Sequence, residues 1–103
     1  MTRFGLIGRI KAHPGKGDDL AEVLLQAASQ MEGSVPGCES YVIARSPDDP
    51  DAIWVTEVWE SRDAHAASLS HDSVKAAIER GRPLIAGFSE RFETIPLGGL
   101  GLD

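Results

Sequence analysis

Long hydrophobic runs, paired cysteines and an excess of basic residues are all missing from this sequence of 103 residues. No apolar stretch approaches the roughly 20 residues that a membrane-spanning helix needs. The one cysteine, Cys38, cannot form an internal disulfide, which is typical of the reducing cytoplasm. The net charge of −6 argues against a nucleic-acid or anionic membrane partner. We therefore expect a cytoplasmic protein whose partners are a small molecule and a second copy of itself.

Sequence motifs for the common cofactors are missing as well. No nucleophile elbow, P-loop or zinc-ligand spacing is present. The glycines at 98–101 open no helix, so they are not a dinucleotide fingerprint. His65 and His71 are six residues apart, whereas a metal-binding pair on one helical face is separated by four. Both histidines could form a site with Asp63 or Asp72, but no motif supports it, and we predict no metal and no cofactor.

Hydrophobic patterns in the first half of the chain predict a strand, then a helix, and then two further strands. Apolar residues alternate over 4–12, which predicts the first strand. They recur at helical spacing over 20–31, which predicts a helix that ends at Gly33. Residues 38–45 and the segment that contains Trp54 and Trp59 predict two strands. Turn-forming residues at 47–51 separate these strands, so we expect an antiparallel hairpin.

Capping residues and a proline organise the second half of the chain. Ser61 is a natural N-cap for a short helix that runs to Leu69, and Ser70 offers a cap for a second helix. Pro83 should end or kink that second helix. The last predicted strand covers 88–95, with the even-numbered residues on one face and the odd-numbered residues on the other. The order βαββαβ predicts the α+β class, with a ferredoxin-like antiparallel sheet and helices on one of its faces.

Both faces of the predicted sheet carry apolar residues, although helices can cover only one. Ile7 and Leu6 point to opposite faces, as do Trp54 and Val55. A large exposed apolar face would associate, so we predict a face-to-face homodimer, a dimeric α/β barrel. We assign residues 1–97 to the domain and 98–103 to a C-terminal extension. That extension either reaches a neighbouring subunit or is a disordered end.

The segment at 54–64, WVTEVWESRDA, is the most informative part of the chain. Glu57 and Trp59 share an apolar row, while Trp54 lies in the opposite row and is predicted to pack in the dimer. A buried carboxylate costs on the order of several kcal/mol unless it is paired or protonated. Trp59 either stacks on a flat substrate or is a core tryptophan. Glu57 is either a general base with a raised pKa or the ion-pair partner of one arginine among Arg9, Arg45 and Arg91.

Four segments together resemble one known family. They are FGLIGRI at 4–10, PGKG at 14–17, VPGC at 35–38 and EVWESRDA at 57–64. In this order and spacing, the chain resembles the antibiotic biosynthesis monooxygenase (ABM) domain family of small dimeric α/β barrels, which includes quinol monooxygenases. The resemblance spans nearly the whole chain. It implies a cavity between sheet and helices that takes aromatic polyketides, quinols or, in one branch, haem.

Two departures from the family pattern concern its chemistry. The chain contains no asparagine, so the Asn that the haem-degrading and polyketide branches use has no counterpart. Ser68 stands where many relatives carry a histidine, and the nearest histidines are His65 and His71. The chain therefore lacks a residue that the resemblance implies for the chemistry of each of these two branches.

We predict a cofactor-independent monooxygenase that oxidises a small aromatic, phenolic or quinol-like substrate with dioxygen. In this prediction Trp59 stacks on the substrate, and Glu57 or His71 accepts its proton. The predicted substrate-binding residues are Tyr41, His65, Ser68 and Arg45. The alternative is a non-catalytic dimer of the same fold that binds a small ligand or a protein. A third hypothesis is isomerase or lyase chemistry, because such a reaction needs only residues that move a proton.

Overall fold

A computed structural model describes residues 2–31 and 33–102, which form a four-stranded antiparallel sheet with helices on one face. The strand order is β2-β3-β1-β4. This arrangement confirms the predicted ferredoxin-like α+β class. The elements in chain order are β1 (Phe4–Ala12), α1 (Gly17–Met31), β2 (Cys38–Ser46), β3 (Asp49–Trp59), α2 (Arg62–Ser68), α3 (Asp72–Gly81), a 3-10 helix (Arg82–Leu84) and β4 (Ile85–Thr94).

The first half of the chain follows the prediction closely, with two shifted boundaries. Helix α1 ends at Met31, and Gly33 has a φ of 75°, the left-handed conformation that commonly follows a helix end. Strand β3 begins at Asp49, so only residues 47–48 form the turn. The start of α1 is held by the Asp51 carboxylate, which accepts the N–H of Gly17 at 3.0 Å. The hairpin therefore fixes where α1 begins.

Ser61 caps α2 as predicted, but the cap of α3 is His71 and not Ser70. The Ser61 hydroxyl accepts the N–H of Ala64 at 3.0 Å. His71 has the extended backbone of an N-cap residue, and its Nδ1 accepts the N–H of Ser73 at 3.3 Å. Ser70 lies in the tight turn after α2, so its backbone is not at the start of α3. The chain turns between the two helices one residue later than the sequence suggested.

A bulge in β4 overturns the predicted alternation of its side chains. Arg9 of β1 pairs with Glu90, but the next residue, Ile10, pairs with Phe88, so Ser89 is an extra residue in β4. Phe88 and Arg91 therefore share the helix-facing row, while Glu90 lies in the outer row opposite Arg9. The prediction that Phe88 and Glu90 share a face was wrong, because strict alternation does not survive an inserted residue.

No helix of the described part of the chain covers the outer face of the sheet, which carries several apolar side chains. Phe92 is 52% exposed and Val42 is 54% exposed. They share this face with Ile7, Trp54 and Val58. The predicted dimer would cover these side chains, and it stays a prediction.

The chain beyond β4 passes Gly5 of β1 at Pro96 and is then largely exposed. Leu97 and Leu100 are almost fully exposed, and Gly99 bridges to Leu102 in a small turn. Asp103, the last residue of the predicted extension, lies outside the described residues. Within the described part of the chain, no helix is long and apolar enough to cross a membrane.

Candidate functional site

A cavity of about 700 Å³ lies between the helix-facing side of the sheet and the three helices. It forms because α3 packs mainly against α1 and leaves space above β1 and β4. Its walls are mostly aliphatic, and a volume of this size is typical of a site for a small organic ligand. The polar residues in its lining are Tyr41, Glu57, His65, Ser68, Arg82, Glu90 and Arg91.

Glu57 and Trp59 form a hydrogen-bonded pair in the cavity wall. They are two residues apart on β3 and therefore share a face, and the Trp59 Nε1 donates to Glu57 Oε1 at 2.9 Å. Trp59 is only 1% exposed, so the bond is shielded from solvent. Burial raises the pKa of Glu57 above its usual value, while the Trp59 bond and the nearby Arg91 charge act in the opposite direction. The pair supplies a fixed carboxyl group that can exchange a proton.

His65 of α2 lies across from this carboxyl group. Its Nε2 is 3.9 Å from Glu57 Oε1, which is longer than a hydrogen bond. Its ring packs edge-on against Trp59 and tilted against Phe4, with centroid distances of 5.5 and 5.1 Å. Burial lowers the pKa of His65, and the charges of Arg91 and Arg62 lower it further. A neutral imidazole and a carboxyl group thus face the same space, where one ligand oxygen can contact both.

Tyr41 and Ser68 complete this end of the cavity. Tyr41 lies directly opposite Glu57 in the β2–β3 register. Burial raises the pKa of its phenol, so the group remains a hydrogen-bond donor at neutral pH. Ser68 is buried, and its hydroxyl donates to the backbone carbonyl of His65 at 2.6 Å. Tyr41 can therefore contact a ligand with a free O–H, whereas Ser68 holds the end of α2.

Two arginines meet one carboxylate between β4 and α2. Glu93 accepts from Arg62 at 2.7 Å and from Arg91 at 2.9 Å. These hydrogen bonds, that of Arg62 first, lower the pKa of Glu93 to about 2. The Arg62 guanidinium also lies 4.5 Å above the ring of Phe4. The cluster connects the edge strand to α2 beside the cavity.

The structure does not support the predicted arginine partner for Glu57. Arg9 is on the outer face, where it donates to Ser89 at 2.8 Å. Arg45 and Arg91 bind other carboxylates, those of Asp18 and Glu93. The partner of Glu57 is the indole of Trp59, and the Glu-x-Trp spacing on one strand face was the available signal.

Two predicted site residues lie outside the cavity lining. Arg45 is near the end of edge strand β2, where it binds Asp18 at 2.8 Å and the carbonyl of Pro50 at 2.6 Å. His71 is occupied as the N-cap of α3. Arg91 was predicted only as a possible ion-pair partner of Glu57, and it lines the cavity because it pairs with Gly8 in the helix-facing row. In residues 2–31 and 33–102, no group of three His, Cys, Asp or Glu side chains is placed to hold a metal ion.

Comparison with known proteins places this architecture in a family. Residues 3–80 match the family model described as antibiotic biosynthesis monooxygenase. A crystal structure of a candidate antibiotic biosynthesis monooxygenase from Chloroflexus aurantiacus is 52% identical, covers 98% of this chain and 99% of its own, and has a TM-score of 0.89. A second candidate of that name, from Caulobacter crescentus, is 26% identical, with coverages of 93% and 91% and a TM-score of 0.84. A search of curated proteins found no match.

The match is broad enough to decide family membership. The family model covers more than half of the chain, and it includes β1, β3 and α2, which carry Glu57, Trp59 and His65. A structural relative with 52% identity aligns over nearly the whole chain. The chain belongs to the antibiotic biosynthesis monooxygenase family.

Proposed function

We propose that this protein is a cofactor-independent monooxygenase that oxidises a small phenolic or quinol-like aromatic with dioxygen. Family membership supports a monooxygenase-like role, and the cavity supports an aromatic substrate. The observation that carries the proposal is the proximity of Glu57 and neutral His65, whose Oε1 and Nε2 atoms lie 3.9 Å apart at one end of a mostly aliphatic cavity. A site of this kind suits proton removal from a weakly acidic hydroxyl in a water-poor environment.

Glu57 acts as the general base in this proposal. It takes the phenolic proton, and the resulting aromatic anion transfers an electron to dioxygen. For a naphthol, one oxygen atom forms a bond to the ring carbon opposite the hydroxyl, and the other leaves as water. That water takes up the displaced ring hydrogen and the phenolic proton, and the product is a quinone. The substrate itself supplies the electrons, so the balance needs no further reductant.

The surrounding residues hold the base and the substrate in position. The Trp59 indole fixes one oxygen of Glu57, which leaves the second oxygen for the substrate. His65 contacts the same hydroxyl, and Tyr41 donates its O–H to the developing anion. The walls are mostly aliphatic, and they offer water few hydrogen-bonding partners. His71 and Arg45 have no role in this scheme, because neither lines the cavity.

Oxygen uptake with a panel of hydroquinones and naphthols tests the proposal. We expect uptake above the buffer rate for at least one compound, and a fall of about 100-fold or more in Glu57→Gln. Glutamine can still accept the Trp59 hydrogen bond, so the fold should survive. Glu60→Gln, an exposed change three residues away, is the matched control and should keep full activity.

Two results would contradict the proposal. One is the absence of uptake above the buffer rate with every compound. The other is a Glu57→Gln variant with the wild-type rate. Thermal stabilisation by the same aromatics without any oxygen uptake would favour the alternative, a dimer that binds a small ligand without converting it.

A further inference from the structure

Glu57 and Arg91 face each other across the floor of the cavity. Both lie on strands that flank β1, and both belong to the helix-facing rows. Leu6 pairs with Glu57, and the next residue on the same face, Gly8, pairs with Arg91. Two strand spacings and an offset of two residues along the strands separate their backbones by about 12 Å. The side chains therefore approach the cavity from opposite edges of the same floor.

Gly8 leaves the floor between them bare. It lines the cavity, and a Cβ built on it would meet only the carbonyl oxygen of Glu90, at 3.9 Å. Leu6 and Ile10, its neighbours on this face, carry aliphatic side chains. A flat ring can lie over the exposed backbone of Gly8, with one edge toward Glu57 and the other toward Arg91.

The Arg91 edge has a surplus of positive charge. Arg91 and Arg62 share the single carboxylate of Glu93, so two cations meet one anion. Of the other charged groups in the lining, Arg82 is paired with Glu79 at 3.0 Å. Glu90 lies in the outer row opposite Arg9. Arg91 lines the cavity and Arg62 does not, and the charge of Arg91 acts on both Glu57 and His65.

We propose that Arg91 is the anion-binding residue of the cavity, and that it selects planar aromatics able to place negative charge at the edge opposite the reacting hydroxyl. This inference rests on the proposed function, because Glu57 is the group that takes the proton. When the proton moves from the hydroxyl to Glu57, the negative charge moves to the ring. A charge delocalised to the far edge of the ring lies near Arg91, which lowers the cost of the transfer.

4-Nitrophenol is a suitable probe, because its anion is yellow and spreads charge from the hydroxyl to the nitro group at the opposite edge. The pKa of the bound probe is measured by absorbance without oxygen, so the result does not depend on turnover. We expect a lower pKa for the probe bound to wild type than in buffer. In Arg91→Gln it should rise by about one unit, with about tenfold weaker binding of the anion.

Matched variants separate a specific contact from a general charge effect. Arg82→Gln removes a paired cation from the same lining and should leave the bound probe unchanged. Arg91→Lys should keep most of the effect. Glu93→Gln frees both arginines and should lower the pKa of the bound probe further. Glu57, His65 and Tyr41 also face the probe from β3, α2 and β2, and all three are retained in every variant.

Three results would overturn the inference: no probe binding to wild type at millimolar concentration, an unchanged titration in Arg91→Gln, or an equal shift in Arg82→Gln. If Arg91→Gln does not fold, Arg91→Lys and Glu93→Gln decide the question, and an unchanged titration in Glu93→Gln then contradicts it. If the wild-type protein shifts the pKa of the bound probe but takes up no oxygen, the anion site is supported and only the proposed oxygenase function is contradicted.

Discussion

At the scale of single residues, the site depends on the bond between Trp59 and Glu57. The indole N–H stabilises the ionised carboxylate, so it opposes the effect of burial on the pKa of Glu57. The base must be ionised to accept a proton. Activity should therefore rise with pH as Glu57 loses its own proton, and the position of that rise reports the strength of the bond.

Trp59→Phe tests this relation. Removing the indole N–H removes a contact that favours the ionised form, so the pKa of Glu57 rises and the acid limb of the activity profile moves to higher pH. The lost contacts should also lower the free energy of unfolding by about 2 kcal/mol. The measurement is the pH dependence of oxygen uptake. Trp54→Phe, on the outer face, is the control, and an acid limb that stays in place in Trp59→Phe would contradict the account.

The sequence revealed part of this residue-level picture. Strand periodicity correctly placed Glu57 and Trp59 in one row, because they are two residues apart on a regular strand. It could not identify the partner of Glu57, because any polar group on the face could have filled that role. The sequence indicated Arg91 only as a possible partner of Glu57, and it could not show that Phe88 shares a face with Arg91, because that depends on an inserted residue in β4.

At the scale of elements, helix α2 carries His65 into the cavity, and its start is fixed by Ser61. The short helix has seven residues, and the Ser61 hydroxyl accepts one of the N–H groups at its start that have no partner within the helix. The sequence predicted this cap correctly but misplaced the next one. Ser and His both accept a backbone N–H, and the tight turn after α2 decides which of them starts α3.

A pair of alanine variants tests the corrected capping scheme. Ser61→Ala should lower the free energy of unfolding by about 1 kcal/mol, because the N–H of Ala64 loses its acceptor. Ser70→Ala should change it by less than about 0.5 kcal/mol. Urea unfolding measures both. Equal losses in the two variants would show that Ser70 has a capping role that the structure does not assign to it.

At the scale of the whole molecule, the two faces of the sheet differ in what covers them. Helices and the cavity occupy one face, while the other presents exposed Val42 and Phe92. Patterning predicted this asymmetry, since apolar residues occur on both faces of β1 and β3 and the element order provides helices for only one. The family resemblance implied a cavity between the sheet and the helices, but the sequence could not predict the volume of that cavity, because the volume depends on how α3 packs against α1.

The predicted homodimer follows from the uncovered face. Wild type should have the mass of a dimer by light scattering at micromolar concentration, and Phe92→Glu should be a monomer because it places a charge in the interface. Leu25→Glu, which changes an exposed leucine on α1, should stay dimeric. A monomeric wild type, or a Phe92→Glu variant that remains a dimer, would contradict the assignment of this face.

The most direct test of the proposed oxygenase function is the fate of oxygen-18 gas during oxidation of 1-naphthol. The account predicts a quinone that carries one heavy oxygen atom, formed at a rate that depends on Glu57. A product whose new oxygen comes from water, or the same labelled product at the same rate in Glu57→Gln, would contradict it.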